Sequence, residues 1–199
     1  MMKETETMII TALRKQDPKA QQQLLELYGD YVWASVVRLV PDVSDAEEVY
    51  QDVFIKVFRN IDMYDEQKAA LKTWIARIAY NESISALRRK RQPTVYFEDY
   101  RDEAETLSEA EVNETLGQAN QETVQQIRAA IKLLPPDEQA IITMFYYDEM
   151  SLKEIAFATD SIPTTIASKL SRIRKKLCKI INTQQSCERT TIKNYGRRT

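Results

Sequence analysis

Two groups of side chains in this sequence have types and spacings suited to gripping a polyanion. The first lies between Pro163 and Ile180. At 100° per residue, Thr165, Ser168, Arg172, Lys175, Lys176 and Lys179 gather on one side of a helix, with Lys169 at the flank. Ile166, Leu170, Ile173, Leu177 and Ile180 recur at spacings of four, three, four and three on the other side. A helix apolar behind and basic in front suits the major groove and its phosphate walls, although any basic amphipathic helix shares the pattern. The second group lies between Leu71 and Arg91. Here Arg77, Asn81, Ile84 and Arg88 share a face, Trp74 and Tyr80 stand on its margins, and Arg88-Arg89-Lys90-Arg91 follows. Aromatic and amide groups among guanidinium groups can stack on unpaired bases and neutralise phosphates. The same aromatics also suit the core of a helix sandwiched between neighbours.

Composition narrows the chemistry. The 199 residues include no histidine, two cysteines and three glycines. That excludes histidine triads, the commonest zinc sites, disulfide frameworks and glycine-rich phosphate loops. The carboxylates are scattered, with no convergent cluster at metal spacing, so neither catalysis nor a cofactor is expected. The net charge of −2 hides a segregation: residues 98–122 hold nine acids against Arg101, and residues 163–199 hold ten bases against Glu188. A basic end of this kind points to a polyanionic partner. No apolar run approaches the roughly 18 residues of a membrane span, and MMKETETMII is no signal peptide. A cytoplasmic protein without direct membrane insertion is expected.

The elements that must carry these side chains are helices. Helical periodicity runs from about residue 5 to 92, pauses through an acidic stretch and resumes from about 122 to 183. The expected fold class is all-α, with two small helical domains joined by a flexible acidic linker. The expected boundaries are 1–95, a linker at 96–121, 122–182, and a mobile tail at 183–199. In the first domain a capping box at Ser44-Asp45-Ala46-Glu47 starts a helix with the stripe Ala46, Val49, Tyr50, Val53, Phe54, Val57 and Ile61. Its far side carries Glu48, Gln51, Asp52, Ile55 and Arg59, and an isoleucine among carboxylates suggests a docking face. In the second domain Pro135-Pro136 opens one helix, the capping box Ser151–Glu154 a short second, and Pro163 a longer basic third. That is the helix-turn-helix order. Cys178, near the core side of the third helix, reads as a packing residue.

The stretch DAEEVYQDVFIKVFRNIDMYDE…LKTWIARIAYNESISALRRKR (Asp45–Arg91) resembles region 2 of the extracytoplasmic-function (ECF) sigma factors of bacterial RNA polymerase. LPPDEQAIITMFYYDEMSLKEIA…TTIASKLSRIRKKL (Leu134–Leu177) resembles their region 4. The two motifs stand in the family's order with a polar linker between them, and larger housekeeping sigma factors are less similar.

The resemblance implies partners and roles. Glu48, Gln51, Asp52 and Ile55 would dock on the clamp helices of the largest subunit of core RNA polymerase. Asn60, Asp62, Met63 and Tyr64 would form the loop that captures a base flipped from the non-template strand of the minus-ten element. Trp74, Arg77, Tyr80, Asn81 and Arg88 would contact the same opened DNA. Thr164, Thr165, Ser168, Lys169 and Arg172 would face bases of the minus-thirty-five element, with Lys175 and Lys176 holding its backbone. The flap region of the polymerase and an anti-sigma factor, often membrane-anchored in the family, are further implied partners. Promoter DNA would be met both double- and single-stranded. Where the family often carries glycine before the reading helix, this chain has Asp160-Ser161, and aspartate tolerates positive φ better than most residues. The alternative is a free-standing helix-turn-helix regulator whose N-terminal lobe binds a ligand or dimerises; it would bind duplex DNA alone on a palindrome.

Overall fold

The structure is a computed structural model. It describes residues 2–89, 108–117 and 121–195, with side-chain surroundings described from Thr5 to Arg89, for most of 108–117, and from Val124 to Thr183. The described residues are helical with no strand, as expected for the all-α class. The helices are α1 (Met2–Leu13), α2 (Pro18–Leu39), α3 (Val43–Arg59), α4 (Leu71–Arg89), α5 (Glu109–Leu116), α6 (Gln121–Lys132), α7 (Pro136–Tyr146), α8 (Leu152–Ala158) and α9 (Pro163–Tyr195), with a 3₁₀ turn at Ile61–Met63. None of them is long and apolar enough to cross a membrane. The chain forms two compact units, one of residues 1–92 with 140–166, the other of 93–139 with 167–199.

The first unit is built on a stripe of α2 in which Ala20, Leu24, Tyr28, Val32, Val36 and Leu39 are buried at helical spacing. Asp17 caps that helix by accepting from the Lys19 amide at 2.9 Å, and Pro18 presets its first turn. On α3 the expected stripe is buried at Ala46, Val49, Val53, Phe54 and Val57, while Tyr50 is half-buried. Tyr50 passes so close to Gly29 that a β-carbon there would meet its hydroxyl at 2.9 Å, and its ring stands edge-on to Trp33 and Phe54. Helix α4 buries Leu71, Ile75, Ala76 and Ala79. It is tied to α3 by the Lys56–Glu82 ion pair at 2.5 Å, with Glu82 nearly enclosed. Residues 140–166 complete the unit: α8 lies against α4, where the Thr73 hydroxyl donates to Glu154 at 3.0 Å. Asp148 sits buried against α2, within 3.3 Å of Arg38 and accepting from Ser35. Burial pushes the Asp148 carboxyl up, and the Arg38 charge and the Ser35 hydrogen bond oppose that rise.

Three element boundaries differ from the sequence reading. Helix α3 starts two residues earlier than a Ser44 cap would place it, because the Asp42 carboxylate accepts from the Asp45 amide at 3.0 Å and serves as the cap. The stretch expected as linker holds α5, with Ser108 and Glu111 in a capping box, Val112 fully buried, and Asn113 accepting from Arg174 at 2.5 Å in the second unit. Helix α9 runs on to Tyr195, past the boundary at 182. Its sequence holds no proline or glycine between Pro163 and Gly196, so nothing in the backbone stops the helix earlier.

Candidate nucleic-acid interface

The α3–α4 connection and one face of α4 enclose a cleft of about 530 Å³ lined by Asn60, Met63, Trp74, Arg77, Asn81 and Phe157. Five of these are residues expected to meet the minus-ten element; the structure brings them to one concave place from two elements. Met63 is 77 % exposed. Arg77 is occupied from the other side of the cleft: its guanidinium lies 3.2 Å from Asp160 and over the Phe157 ring, 5.2 Å from the centroid. Phe157 gave no signal in the sequence, because on its own short helix it reads as one more apolar residue.

Other expected members of the site stand elsewhere. Tyr64 is buried: its ring lies 5.5 Å from that of Trp74 and its hydroxyl donates to the Ala69 carbonyl at 3.1 Å. It braces the loop from beneath and does not line the cleft. Asp62 is exposed beside Arg14, 4.0 Å away. Tyr80 turns to the far side of α4, into a small, mainly apolar recess whose lining includes Leu39, Ala79, Met144 and Asp148. The reason is angular, since Trp74 and Tyr80 lie about 60° to either side of Arg77 on the helix and point to different neighbours. Ile84, read on the outer face, is buried, whereas Asn81 and Arg88 are exposed. On α3, Glu48, Gln51 and Ile55 are exposed and Asp52 is half-exposed, a continuous outward strip with the isoleucine 44 % open.

The second candidate surface begins at α8. Ser151 caps that helix in a reciprocal box: its hydroxyl accepts from the Glu154 amide, and Glu154 accepts from the Ser151 amide at 2.9 Å and hydroxyl at 2.7 Å. These bonds, the hydroxyl's first, hold the Glu154 carboxyl below its ordinary value of 4.5 despite partial burial. A depressed carboxyl pKa contributes stability above the ordinary value and loses it as the pH falls through the folded one. Ser151→Ala therefore costs about 1 kcal/mol in urea denaturation at pH 7. The difference from the parent shrinks as the pH drops below 4.5.

The turn to α9 runs through Asp160, which takes φ 56° in the left-handed region, as the sequence expectation for aspartate at this place allows. The Ser161 amide closes the turn by donating to the Ala156 carbonyl at 2.8 Å. Ile166, Leu170, Ile173, Leu177 and Ile180 are all buried, as the stripe requires. So is Cys178, a free thiol packed in the apolar stripe. Thr164, Ser168, Lys169 and Arg172 are exposed, and Thr165 and Lys175 are half-exposed. Lys176 departs from the expected phosphate contact: it pairs with Glu138 at 2.6 Å and its side chain is 15 % open. At 100° per residue it lies about 60° from Ile173, on the edge of the apolar stripe, where a lysine stem packs and its ammonium reaches the first turn of α7.

Residues 24–92 match the Sigma-70 region 2 family, and residues 124–177 match Sigma-70 region 4. The ECF RNA polymerase sigma factor SigW of Bacillus subtilis is 28 % identical over 176 residues, spanning 85 % of this chain and 93 % of the relative. The ECF RNA polymerase sigma-E factor of Escherichia coli K12 is 29 % identical over 180 residues, spanning 87 % and 92 %. The chain is an ECF sigma factor of the sigma-70 family. Solved structures share its fold. CnrH in complex with the cytosolic domain of CnrY aligns with a TM-score of 0.63 at 16 % identity over 88 % of this chain and 96 % of that one. The sigma factor RpoE in complex with the anti-sigma factor NepR, from Bartonella quintana, aligns with a TM-score of 0.57 at 22 % identity over 81 % and 96 %. Within this sigma factor the cleft falls inside region 2 apart from Phe157, and the exposed face of α9 begins inside region 4.

Proposed function

We propose that this promoter-directing sigma factor divides its work between residues 1–95, which bind core polymerase and open the minus-ten element, and residues 122–182, which read the minus-thirty-five element. Residues 96–121 join them, and 183–199 form a tail. The observation that carries this reading is the presence of both regions, in order, across nearly the full length of curated ECF sigma factors. The outward strip Glu48, Gln51, Asp52 and Ile55 offers carboxylates around an apolar contact for the clamp helices of the polymerase. The cleft of Asn60, Met63, Trp74, Arg77 and Asn81 offers stacking and cationic groups to an unpaired strand, with Asp62 and Arg88 at its approaches. Stacking returns about 1–3 kcal/mol per base against the cost of extruding it. Thr164, Thr165, Ser168, Lys169 and Arg172 present short polar and basic groups to the major groove, and Lys175 supports them at the phosphates. An anti-sigma factor is the regulatory partner that the structural neighbour RpoE–NepR supports. The setting is the cytoplasm, where core polymerase resides.

The test is binding to bacterial core RNA polymerase, followed by run-off transcription from promoter-containing genomic fragments. Transcripts that need this protein support the reading and reveal the promoter. Failure to bind core, together with tight palindromic DNA binding by the chain alone, would replace it with a free-standing regulator.

A further inference from the structure

We propose that Arg14 is a positioning residue for the loop of residues 60–64, holding its backbone in the shape that presents Asn60 and Met63 to an unpaired base. The proposal rests on the minus-ten reading above. Arg14 lies outside both family-matched segments.

The loop has little of its own to hold it. Its backbone bonds are the Asn60 amide to Lys56 at 3.0 Å, which ends α3, and two short-range turns, Met63 to Asn60 at 2.9 Å and Tyr64 to Ile61 at 3.1 Å, and Asp62 and Met63 are open to solvent. Ile61 and Tyr64 anchor its two sides by burial. Arg14 supplies a tie from another element: its Nη2 donates to the Tyr64 carbonyl at 3.0 Å, and its Nε lies 4.0 Å from Asp62 Oδ1. One guanidinium fork thus reaches the carbonyl that ends the loop and the carboxylate at its tip.

The tie is useful because its base is firm. Ile9, Ile10 and Leu13 are buried just before Arg14, and the Arg14 amide donates to the Ile10 carbonyl at 3.0 Å. Immediately after it, Gln16 takes φ 59°, which turns the chain so that Asp17 can cap α2. Arg14 therefore stands at the corner between two helices, its side chain 45 % exposed and its backbone footed on buried residues of α1. A side chain held there transfers the rigidity of the helical bundle to a loop that must be preorganised before a base arrives.

The experiment uses holoenzyme reconstituted from the full chain and bacterial core polymerase. Affinity for fork-junction promoter DNA is measured with each of the four bases at the captured non-template position. The expected result for Arg14→Ala is a loss of about tenfold in discrimination between the best and the worst base, as for a charge-assisted hydrogen bond removed from a loop. Core affinity and Tm stay near those of the parent. Arg14→Lys, with one point donor in place of a fork, restores part of the discrimination. Equal weakening on all four bases, fully restored by Arg14→Lys, would show a phosphate contact and overturn the proposal. So would unchanged discrimination in Arg14→Ala, or a loss of core binding in step with a fall in Tm. If the parent itself shows no base discrimination while binding core, the minus-ten reading fails and the proposal falls with it.

Discussion

Replacing Arg77 by alanine lowers run-off transcription by about tenfold or more, since one stacked or cationic contact to an opened base is worth about 1–3 kcal/mol. Core binding stays within about twofold, because Arg77 lies outside the α3 strip proposed to dock on core polymerase. The position explains the size of the effect. Arg77 is a cationic member of the cleft, together with Lys68, half-open to solvent, and it stands with Trp74 and Asn81 where, under the proposed minus-ten role, a flipped base and its phosphate would pass. In this structure the guanidinium is already engaged by Asp160 and the Phe157 ring. Under the proposed minus-ten role, single-stranded DNA would have to take Arg77 from those partners. Asp160→Asn therefore acts in the opposite direction: it keeps a residue that tolerates φ 56° but removes the charge. An exposed ion pair contributes about 0–1 kcal/mol, so fork-junction affinity should rise by up to about fivefold. Alanine at 160 is the wrong control, because it adds backbone strain. Fluorescence anisotropy on fork-junction DNA decides the matter; if Arg77→Ala and Asp160→Asn weaken binding alike, the pair is structural and Arg77 is not a DNA contact.

The second large effect is on stability. Ile166 has no exposed surface and is the first residue of the α9 stripe, directly after the turn that aims the helix. Ile166→Ala costs about 2–5 kcal/mol, the lost transfer energy plus the cavity left behind. Tm falls by several degrees, and binding to minus-thirty-five duplex within the holoenzyme falls with it. Thr165→Ala, one residue earlier on the polar side, leaves stability within about 0.5 kcal/mol and changes which duplex is preferred. Calorimetry of the two variants separates scaffold from reader. Equal Tm values would place Ile166 outside the core and undo the two-faced description of α9.

Much of this was legible because helices expose their period. The stripes of α3 and α9 are buried almost as the spacing demands, with only Tyr50 half-open, and the Ser151 box forms as its four residues announce. The Asp160 turn was legible for a different reason: few residues other than glycine accept positive φ, and aspartate is one of them. Caps are less secure as signals. Asp42 and Ser44 can both accept an amide bond, and the structure uses Asp42, so the helix starts two residues earlier than a Ser44 cap would place it. The acidic stretch concealed α5, whose helix is short; its buried Val112 and the bond from Arg174 to Asn113 are long-range facts.

What the sequence by itself determined is the all-α class, the buried stripes of α3 and α9 and the two groups of side chains proposed to meet nucleic acid, since each follows from periodicity and side-chain type within one segment. The tertiary structure decided which of those side chains meet. Tyr64 and Tyr80 stand outside the cleft, Lys176 turned to Glu138, Phe157 entered the cleft, and Asp160 and Arg14 reached Arg77 and the 60–64 loop from elements far away in the chain. A helical wheel gives a direction for each side chain but not the neighbour that waits there. The burial of a ring, the pairing of a charge and the bracing of a loop depend on that neighbour.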